Sequence, residues 1–257
     1  MEMIKLERVE KEIDCPIHGK QKAVAIYFPD ESKESAYERI DASYCPLCKS
    51  TKDQIEDDKL KAEEEKQKAK EVDKAIENAG VYKDNFYADL STVEDKYFFD
   101  LLKDLATGKI NTLVIVGSEG RGKTYMAIAC MREYAKQDYN RFNKIIYDTA
   151  SGIARKVRSA IGGRKLTEQD VFSYYADADF LVVDEMGKSN NTDYNSSLMS
   201  DLFDSRLSNF KSTIIISNLS PKELSEAYLD APLRSRILRG GKGVIAEKKG
   251  EDLRRIL

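Results

Sequence analysis

Residues Gly117-Ser118-Glu119-Gly120-Arg121-Gly122-Lys123-Thr124 carry the types and spacing of a phosphate-binding loop, Gly-x-x-x-x-Gly-Lys-Thr. Glycines let successive backbone N–H groups curl around an anion with no Cβ in the way. A helix starting at the loop adds the partial positive charge of its N-terminus. Lys123 can reach the β- and γ-phosphates of ATP, and the Thr124 hydroxyl can ligate Mg²⁺. Farther along, Phe180-Leu181-Val182-Val183 delivers two carboxylates, Asp184 and Glu185. Asp184 suits the water shell of Mg²⁺, and Glu185 can polarise an attacking water. Asn218 ends another apolar run, where it can hold that water or sense the γ-phosphate. Arg236 has the planar, permanently charged fork that binds two phosphate oxygens at once. It is a candidate arginine finger toward a neighbouring subunit, and Arg254 is a second candidate for the same subunit's nucleotide.

A separate grouping lies near the N-terminus. Cys15-Pro16-Ile17-His18 and Cys45-Pro46-Leu47-Cys48 form two knuckles, C-x2-H and C-x2-C. Each supplies two ligands from one tight turn, and a tetrahedral Zn²⁺ needs two such pairs. All four positions are filled, so the expected zinc is structural rather than catalytic, and it supplies much of the folding energy of so small a module. A histidine ligand and this spacing do not suit an iron–sulfur cluster. The fourth cysteine, Cys130, falls on the apolar face of an expected helix, and the set as a whole fits a reducing cytoplasm.

The elements that must position these groups follow from apolar patterning. Thr112-Leu113-Val114-Ile115-Val116, Lys144-Ile145-Ile146-Tyr147, Phe180-Leu181-Val182-Val183 and Thr213-Ile214-Ile215-Ile216-Ser217 read as buried strands. Tyr125-Met126-Ala127-Ile128-Ala129-Cys130-Met131 reads as the first turns of a helix. Strand, glycine-rich loop and helix is the context a phosphate loop needs. Between the knuckles, Ala23-Val24-Ala25-Ile26-Tyr27-Phe28 reads as a strand of a zinc-ribbon-like domain. The expected organisation is a zinc domain over residues 1–50, a charged helical linker over 51–78 and an ATPase domain over 79–257. The linker is dense in Lys and Glu with sparse apolar points at Ile55, Leu60, Val72 and Ile76, which reads as a solvated spacer helix. Aromatic residues in the lead-in Val81-Tyr82-Lys83-Asp84-Asn85-Phe86-Tyr87 could pack on an adenine.

The 257 residues carry a formal net charge of −3, so nucleic-acid binding must come from a local patch. One candidate is residues 151–166, with Arg155, Lys156, Arg158, Arg164 and Lys165 and no acidic residue. It reads either as a single-stranded DNA track, with Tyr174 or Tyr175 stacking on a base, or as one solvated face of a helix. No apolar run is long enough to span a bilayer, and the start has no signal-peptide pattern.

Taken in order, GSEGRGKT, FLVVDEMG, the long helix expected over 196–207, TIIISNLS and LRSRI resemble the AAA+ ATPases. Within them they are similar to the DnaC/DnaI-type replicative helicase loaders and the related IstB transposition ATPases. The lead-in AGVYKDNFYADL looks like that family's approach to the ATPase core, so the resemblance covers residue 79 to the end. It implies an α/β P-loop domain with a five-stranded parallel sheet between helices. It also implies self-association in a ring or spiral, Arg236 as finger and Arg254 as sensor-2 residue. A Cys/His zinc element ahead of the core resembles loaders of DnaI and phage-replication type, whose N-terminal domain grips a hexameric helicase; IstB proteins usually lack one. Three departures stand out: Tyr125-Met126 replaces His-Leu, Pro232 replaces an arginine, and Glu251-Asp252-Leu253-Arg254 replaces Ser-x-Arg. The expectation is a cytoplasmic ATP-dependent loader of a replicative helicase onto single-stranded DNA, phage- or mobile-element-encoded. The alternatives are an IstB-like transposition helper and a nucleotide-gated adaptor with little hydrolysis.

Overall fold

In the computed structural model the described residues are 7–27, 45–137, 144–161, 166–188, 193–228, 231–238 and 242–250. The chain divides into two units, Met1–Gln67 and Lys68–Leu257.

The first unit is built on a hairpin. β1 (Glu7–Cys15) pairs antiparallel with β2 (Gly19–Tyr27), from Glu7 opposite Tyr27 to Cys15 opposite Gly19. Gly19, at φ 66°, turns the chain directly after the first knuckle. Only one strand was expected here, over Ala23–Phe28. β1 escapes notice because Val9 and Ile13 are separated by charged residues, and four apolar or thiol groups suffice for its buried face with Ala23: Val9, Ile13, Cys15 and Cys45. Phe28 lies outside the described residues.

α1 (Pro46–Asn78) starts inside the second knuckle and continues through the charged stretch. Its described middle is exposed and only Val72 and Ile76, near its end, are buried, as a solvated helix with a few anchoring points requires. Two short 3₁₀ turns, Lys83–Asn85 and Leu90–Thr92, lead to α2 (Lys96–Ala106).

The second unit then alternates strand and helix: β3 (Thr112–Val116), α3 (Lys123–Gln137), β4 (Ile145–Thr149), α4 (Ala150–Ser159), α5 (Glu168–Ala176), β5 (Phe180–Met186), α6 (Asp193–Ser208), β6 (Ser212–Ser217), α7 (Pro221–Ala227), α8 (Ala231–Leu238) and β7 (Gly243–Glu247). The five strands are parallel in the order β4-β5-β6-β3-β7. Both faces are covered, so the strands are apolar throughout and alternate residues enter different cores. Leu113, Ile115, Phe180, Val182, Ile214 and Ile216 pack with α2, α3 and the end of α1. Val114, Val116, Leu181, Val183 and Ile215 pack with α4 through α8. Sequence patterning identifies four of these strands; β7, whose apolar run Val244-Ile245-Ala246 lies between a glycine and Glu247, does not declare itself.

One contributor to this core was not foreseen. Arg206 of α6 is 1% exposed. It donates to the carbonyls of Tyr175, Ala176, Ala178 and Ser212 and to Thr213 Oγ1, at 2.6–3.1 Å. Burial lowers its pKa to about 9, so it stays charged at neutral pH. The fork ties the end of α5 to the start of β6, and nothing in the one-dimensional pattern marks it.

Candidate nucleotide and metal sites

Parallel pairing brings the C-terminal strand ends together. Val116 of β3 lies between Ser217 of β6 and Glu247 of β7 in register, and β5 lies beyond β6. The loop after β3, Asn218 after β6 and the carboxylates ending β5 therefore share one edge of the sheet. This edge, beyond the carboxyl ends of the strands, is where open α/β sheets bind ligands.

Gly117 has φ 143°, and a Cβ there would stand 2.4 Å from the Lys248 carbonyl oxygen. Lys248 in turn is held by its N–H on Val116 O at 2.7 Å and by its ammonium on Asp95. The loop is thus pressed against the segment after β7, and only glycine fits. Lys123, 5% exposed, donates from Nζ to the Gly117 and Ser118 carbonyls, each at 2.7 Å. Thr124 Oγ1 donates to Asp184 Oδ2 at 2.7 Å, although sixty residues separate them. Tyr125, the departure after Lys-Thr, fills its place through a 2.7 Å hydrogen bond with Thr92 Oγ1, fastening the lead-in segment to α3.

At the end of β5 the pairing slips. Val183 faces Ile215 while Met186 faces Ser217, so one extra residue is inserted. This bulge falls on the two carboxylates, and Glu185 takes φ 55°, a strained conformation typical of functional sites. Its effect is to aim the two side chains differently. Asp184 is 5% exposed and accepts from Thr124, from the Glu185 N–H at 2.6 Å and from Tyr147 Oη at 2.8 Å. Glu185 is half-buried and accepts from Lys188 Nζ at 2.5 Å, which holds the lysine pKa above its usual value. Hard oxygen donors, Thr124 Oγ1 and a buried Asp184 carboxylate beside a phosphate loop, have the chemistry that Mg²⁺ takes.

Asn218 Nδ2 donates to Glu119 Oε1 in the loop at 3.2 Å, so the structure brings these two together. Arg121 of the loop is half-buried. Arg236, on α8, is an exposed side chain ion-paired with Asp204 of α6 in its own chain. Arg254 lies outside the described residues. In the lead-in segment, the exposed Tyr82 meets Tyr147 edge-on with ring centroids 6.0 Å apart.

On α4, Arg155, Lys156 and Arg158 all face outward while Ile153, Ala154 and Val157 are buried. Lys156 pairs with Asp148 at 2.6 Å. Arg158 donates to Asn195 Oδ1 at 3.1 Å and lies over the Tyr194 ring. Ser151, Ala154, Arg155, Arg158 and Asn195 line an open cleft of about 360 Å³. Tyr175 cannot stack on a base: it is 1% exposed and donates to Asp148 Oδ2 at 2.7 Å. Tyr174 is exposed, with Lys144 Nζ 3.9 Å from its ring centroid. Arg164 and Lys165 lie outside the described residues.

In the first unit, Cys15, His18, Cys45 and Cys48 converge, their ligand atoms all within 4.8 Å of one another. Cys15 Sγ is 3.5 Å from Cys48 Sγ, and His18 Nδ1 lies 3.8, 3.8 and 3.3 Å from the sulfurs of Cys15, Cys45 and Cys48. Zinc–sulfur bonds of about 2.3 Å at tetrahedral angles demand sulfur–sulfur edges of about 3.8 Å and slightly shorter sulfur–nitrogen ones. Four of the six edges, at 3.3–3.8 Å, thus lie near the lengths a zinc tetrahedron requires. The backbone N–H groups of His18 and then Ile17 lower the Cys15 thiol to about 6, favouring the thiolate a metal requires. Cys130 is the contrasting case, fully buried against Leu102 O with its pKa pushed up by burial.

Among the described residues no helix is long and apolar enough to cross a membrane. No curated protein matches the chain. Among solved structures it is similar to the DnaC helicase loader, at 21% identity and TM-score 0.53 over 65% of this chain and 100% of that one. It is similar to DnaI at 18% identity and TM-score 0.52, over 67% of this chain and 94% of that one. AMPPCP-bound DnaA from Aquifex aeolicus matches at 20% identity and TM-score 0.51, over 65% of this chain and 52% of that one. These likenesses give the fold, an AAA+ P-loop domain with its five-stranded parallel sheet. A model of the IstB-like ATP binding proteins matches residues 82–240, well over half of the chain and all of the loop, carboxylate and Asn218 positions. The chain belongs to the family of IstB-like ATP binding proteins.

Proposed function

We propose that the protein is an ATP-dependent loader of a hexameric replicative helicase onto single-stranded DNA. The observation that carries this reading is the presence, in one chain, of a four-ligand Cys/His cluster and an IstB-like ATPase unit shaped like the DnaC helicase loader. Lys123 and the loop N–H groups, Gly117 through Thr124, would hold the triphosphate, Thr124 and Asp184 the Mg²⁺, and Glu185 with Asn218 the attacking water. Arg236 exchanges Asp204 for a neighbouring subunit's γ-phosphate when copies assemble in a ring or spiral, and Arg254 serves its own subunit's nucleotide. Zn²⁺ on Cys15, His18, Cys45 and Cys48 keeps the N-terminal unit, residues 1–50, folded as the helicase-docking module, with 51–78 as spacer. The outward basic face of α4, with Arg155 and Arg158 at its cleft, meets the DNA backbone; solvation of that face and DNA binding are compatible uses.

A second reading, an IstB-like transposition helper whose partner is a transposase, is favoured by the family match itself. Native mass measurement of the full chain with a hexameric helicase, and separately with a transposase, with and without ATP, separates the two. A nucleotide-dependent complex of defined stoichiometry with the helicase supports loading; capture of the transposase alone overturns it. Loss of helicase capture on deleting residues 1–67, which leaves Val72 and Ile76 in the ATPase core, would support docking through the N-terminal unit. Arg155→Ala with Arg158→Ala is expected to weaken salt-sensitive single-strand binding without altering nucleotide affinity.

A further inference from the structure

Asp184 receives three hydrogen bonds, and two come from expected sources: the phosphate-loop threonine and the adjacent backbone N–H. The third comes from outside the nucleotide motifs. Tyr147 lies on β4, opposite Val182 in register, two residues before Asp184, which itself faces Thr149. Side chains two apart on neighbouring strands share a face and reach each other diagonally. The Tyr147 hydroxyl accordingly sits 2.8 Å from Asp184 Oδ2, the same oxygen that accepts from Thr124.

This hydroxyl is not a loose surface group. Tyr147 is 6% exposed, its N–H donates to Ala79 O at 2.8 Å, and the Tyr82 ring meets it edge-on. Asp184 is buried as well, so no bulk water stands ready to take over the bond. Burial and the neighbouring Asp184 charge hold the phenol well above its ordinary pKa, so it remains a donor.

We propose that Tyr147 is a positioning residue for the metal side of the nucleotide site: its buried hydroxyl fixes the Asp184 carboxylate in the orientation at which Asp184 and Thr124 together meet Mg²⁺. The proposal rests on the reading of this edge as an Mg²⁺–ATP site. A carboxylate that must orient metal-bound water gains from having its remaining lone pairs tied down, since donors behind a metal ligand set its rotamer. Because the bond is made to Asp184, its effect is expected on the Mg²⁺ dependence of binding.

The test uses the full chain and a fluorescent ATP analogue. Affinity is measured in EDTA, and the Mg²⁺ concentration for half-maximal enhancement of binding is then titrated, for wild type, Tyr147→Phe, Asp184→Asn and the double variant. Outer-ligand partners are worth about ten- to a hundred-fold in metal affinity. Tyr147→Phe, which keeps the ring against Tyr82, is expected to raise the Mg²⁺ half-saturation about ten-fold. It should leave EDTA affinity within about two-fold, a readout that also verifies folding. On the Asp184→Asn background it should add little, because the carboxylate to be held is gone. An unchanged half-saturation in Tyr147→Phe, with Asp184→Asn shifted, overturns the proposal. An equal shift on both backgrounds does so too, since the hydroxyl would then act by a route other than the Asp184 carboxylate. Wild-type binding indifferent to Mg²⁺ removes the Mg²⁺–ATP reading, and the proposal with it.

Discussion

Replacing Cys45 by serine tests whether the four-ligand cluster holds the N-terminal unit together. Cys45 is fully buried, and its sulfur stands 3.8 Å from His18 Nδ1, an ordinary edge for a zinc tetrahedron. Among its described residues the unit has little else to depend on. Their buried cluster is Val9, Ile13, Cys15, Ala23 and Cys45, and two of those five belong to the Cys/His cluster. Val9 and Ile13 contribute about 1.5–3 kcal/mol each, and a lone two-stranded hairpin is marginal in water. Structural zinc contributes about 10–16 kcal/mol at neutral pH, or about 2.5–4 kcal/mol for each of four ligands. Exchanging one thiolate for a poorly ligating hydroxyl should therefore weaken zinc binding about 70- to 1,000-fold. Competition against a chromophoric chelator measures that affinity. Hydrogen exchange read on peptides from β1–β2 and, separately, from β3, β5 and β6 measures the structural consequence. Stripping the metal from wild type should erase protection in β1–β2 and leave the sheet strands protected, because their two cores contain no ligand. Hairpin protection that survives metal removal, or serine-variant affinity within ten-fold of wild type, would refute the reasoning.

Three further outcomes follow from the ATPase unit. Gly117→Ala drives a Cβ to 2.4 Å from the carbonyl oxygen of Lys248, whose own N–H is held by Val116 O, and imposes φ 143° on an L residue. Nucleotide affinity is expected to fall more than about ten-fold, with about 1–3 kcal/mol of strain, and unchanged fluorescent-nucleotide titrations would count against the loop geometry. Arg206→Met removes five donated bonds and leaves buried carbonyls unpaired. A loss of about 3–5 kcal/mol is expected in urea unfolding, and a loss below about 1 kcal/mol would mean that the fork is dispensable. Glu185→Gln keeps the size of the side chain and removes the carboxylate proposed as the base. Phosphate release should drop about a hundred-fold or more while ATP binding persists, and an unchanged rate would favour the adaptor reading.

Much of the nucleotide site is legible in the sequence because its parts are local. The loop, the carboxylate pair and Asn218 each follow an apolar run, and parallel pairing then places every run's end on one edge. What escapes is whatever depends on which strands become neighbours. Tyr147 looks like an ordinary strand tyrosine until β4 is laid beside β5. Arg206 reads as a charge on a helix until the end of α5 and the start of β6 close around it. The Asp184–Glu185 bulge is invisible because both residues suit a strand end, and only the shifted register separates their directions. The Cys/His positions behave oppositely. Their spacing is informative before any fold is known, because coordination geometry rather than packing dictates it.

The groups assigned to ATP are also the groups that fasten the two sides of the site to each other. Lys123 Nζ donates to the Gly117 and Ser118 carbonyls, Asn218 reaches Glu119, Glu185 receives Lys188, and Arg236 is paired with Asp204. On the proposed reading a triphosphate and its metal would compete for these donors. Each exchange would then release a different element: the loop through Lys123, the end of β6 through Asn218, the segment after β5 through Lys188, and α8 through Arg236. The net affinity for nucleotide would be the difference between bonds made and bonds surrendered, so each single exchange would contribute little. Arg236 illustrates this on the proposed reading. Its present partner lies in its own chain, and a neighbouring subunit's phosphate would have to displace only an exposed ion pair, which is worth about 0–1 kcal/mol. So small a cost would let assembly follow nucleotide occupancy, a property a helicase loader and a transposition helper would both need.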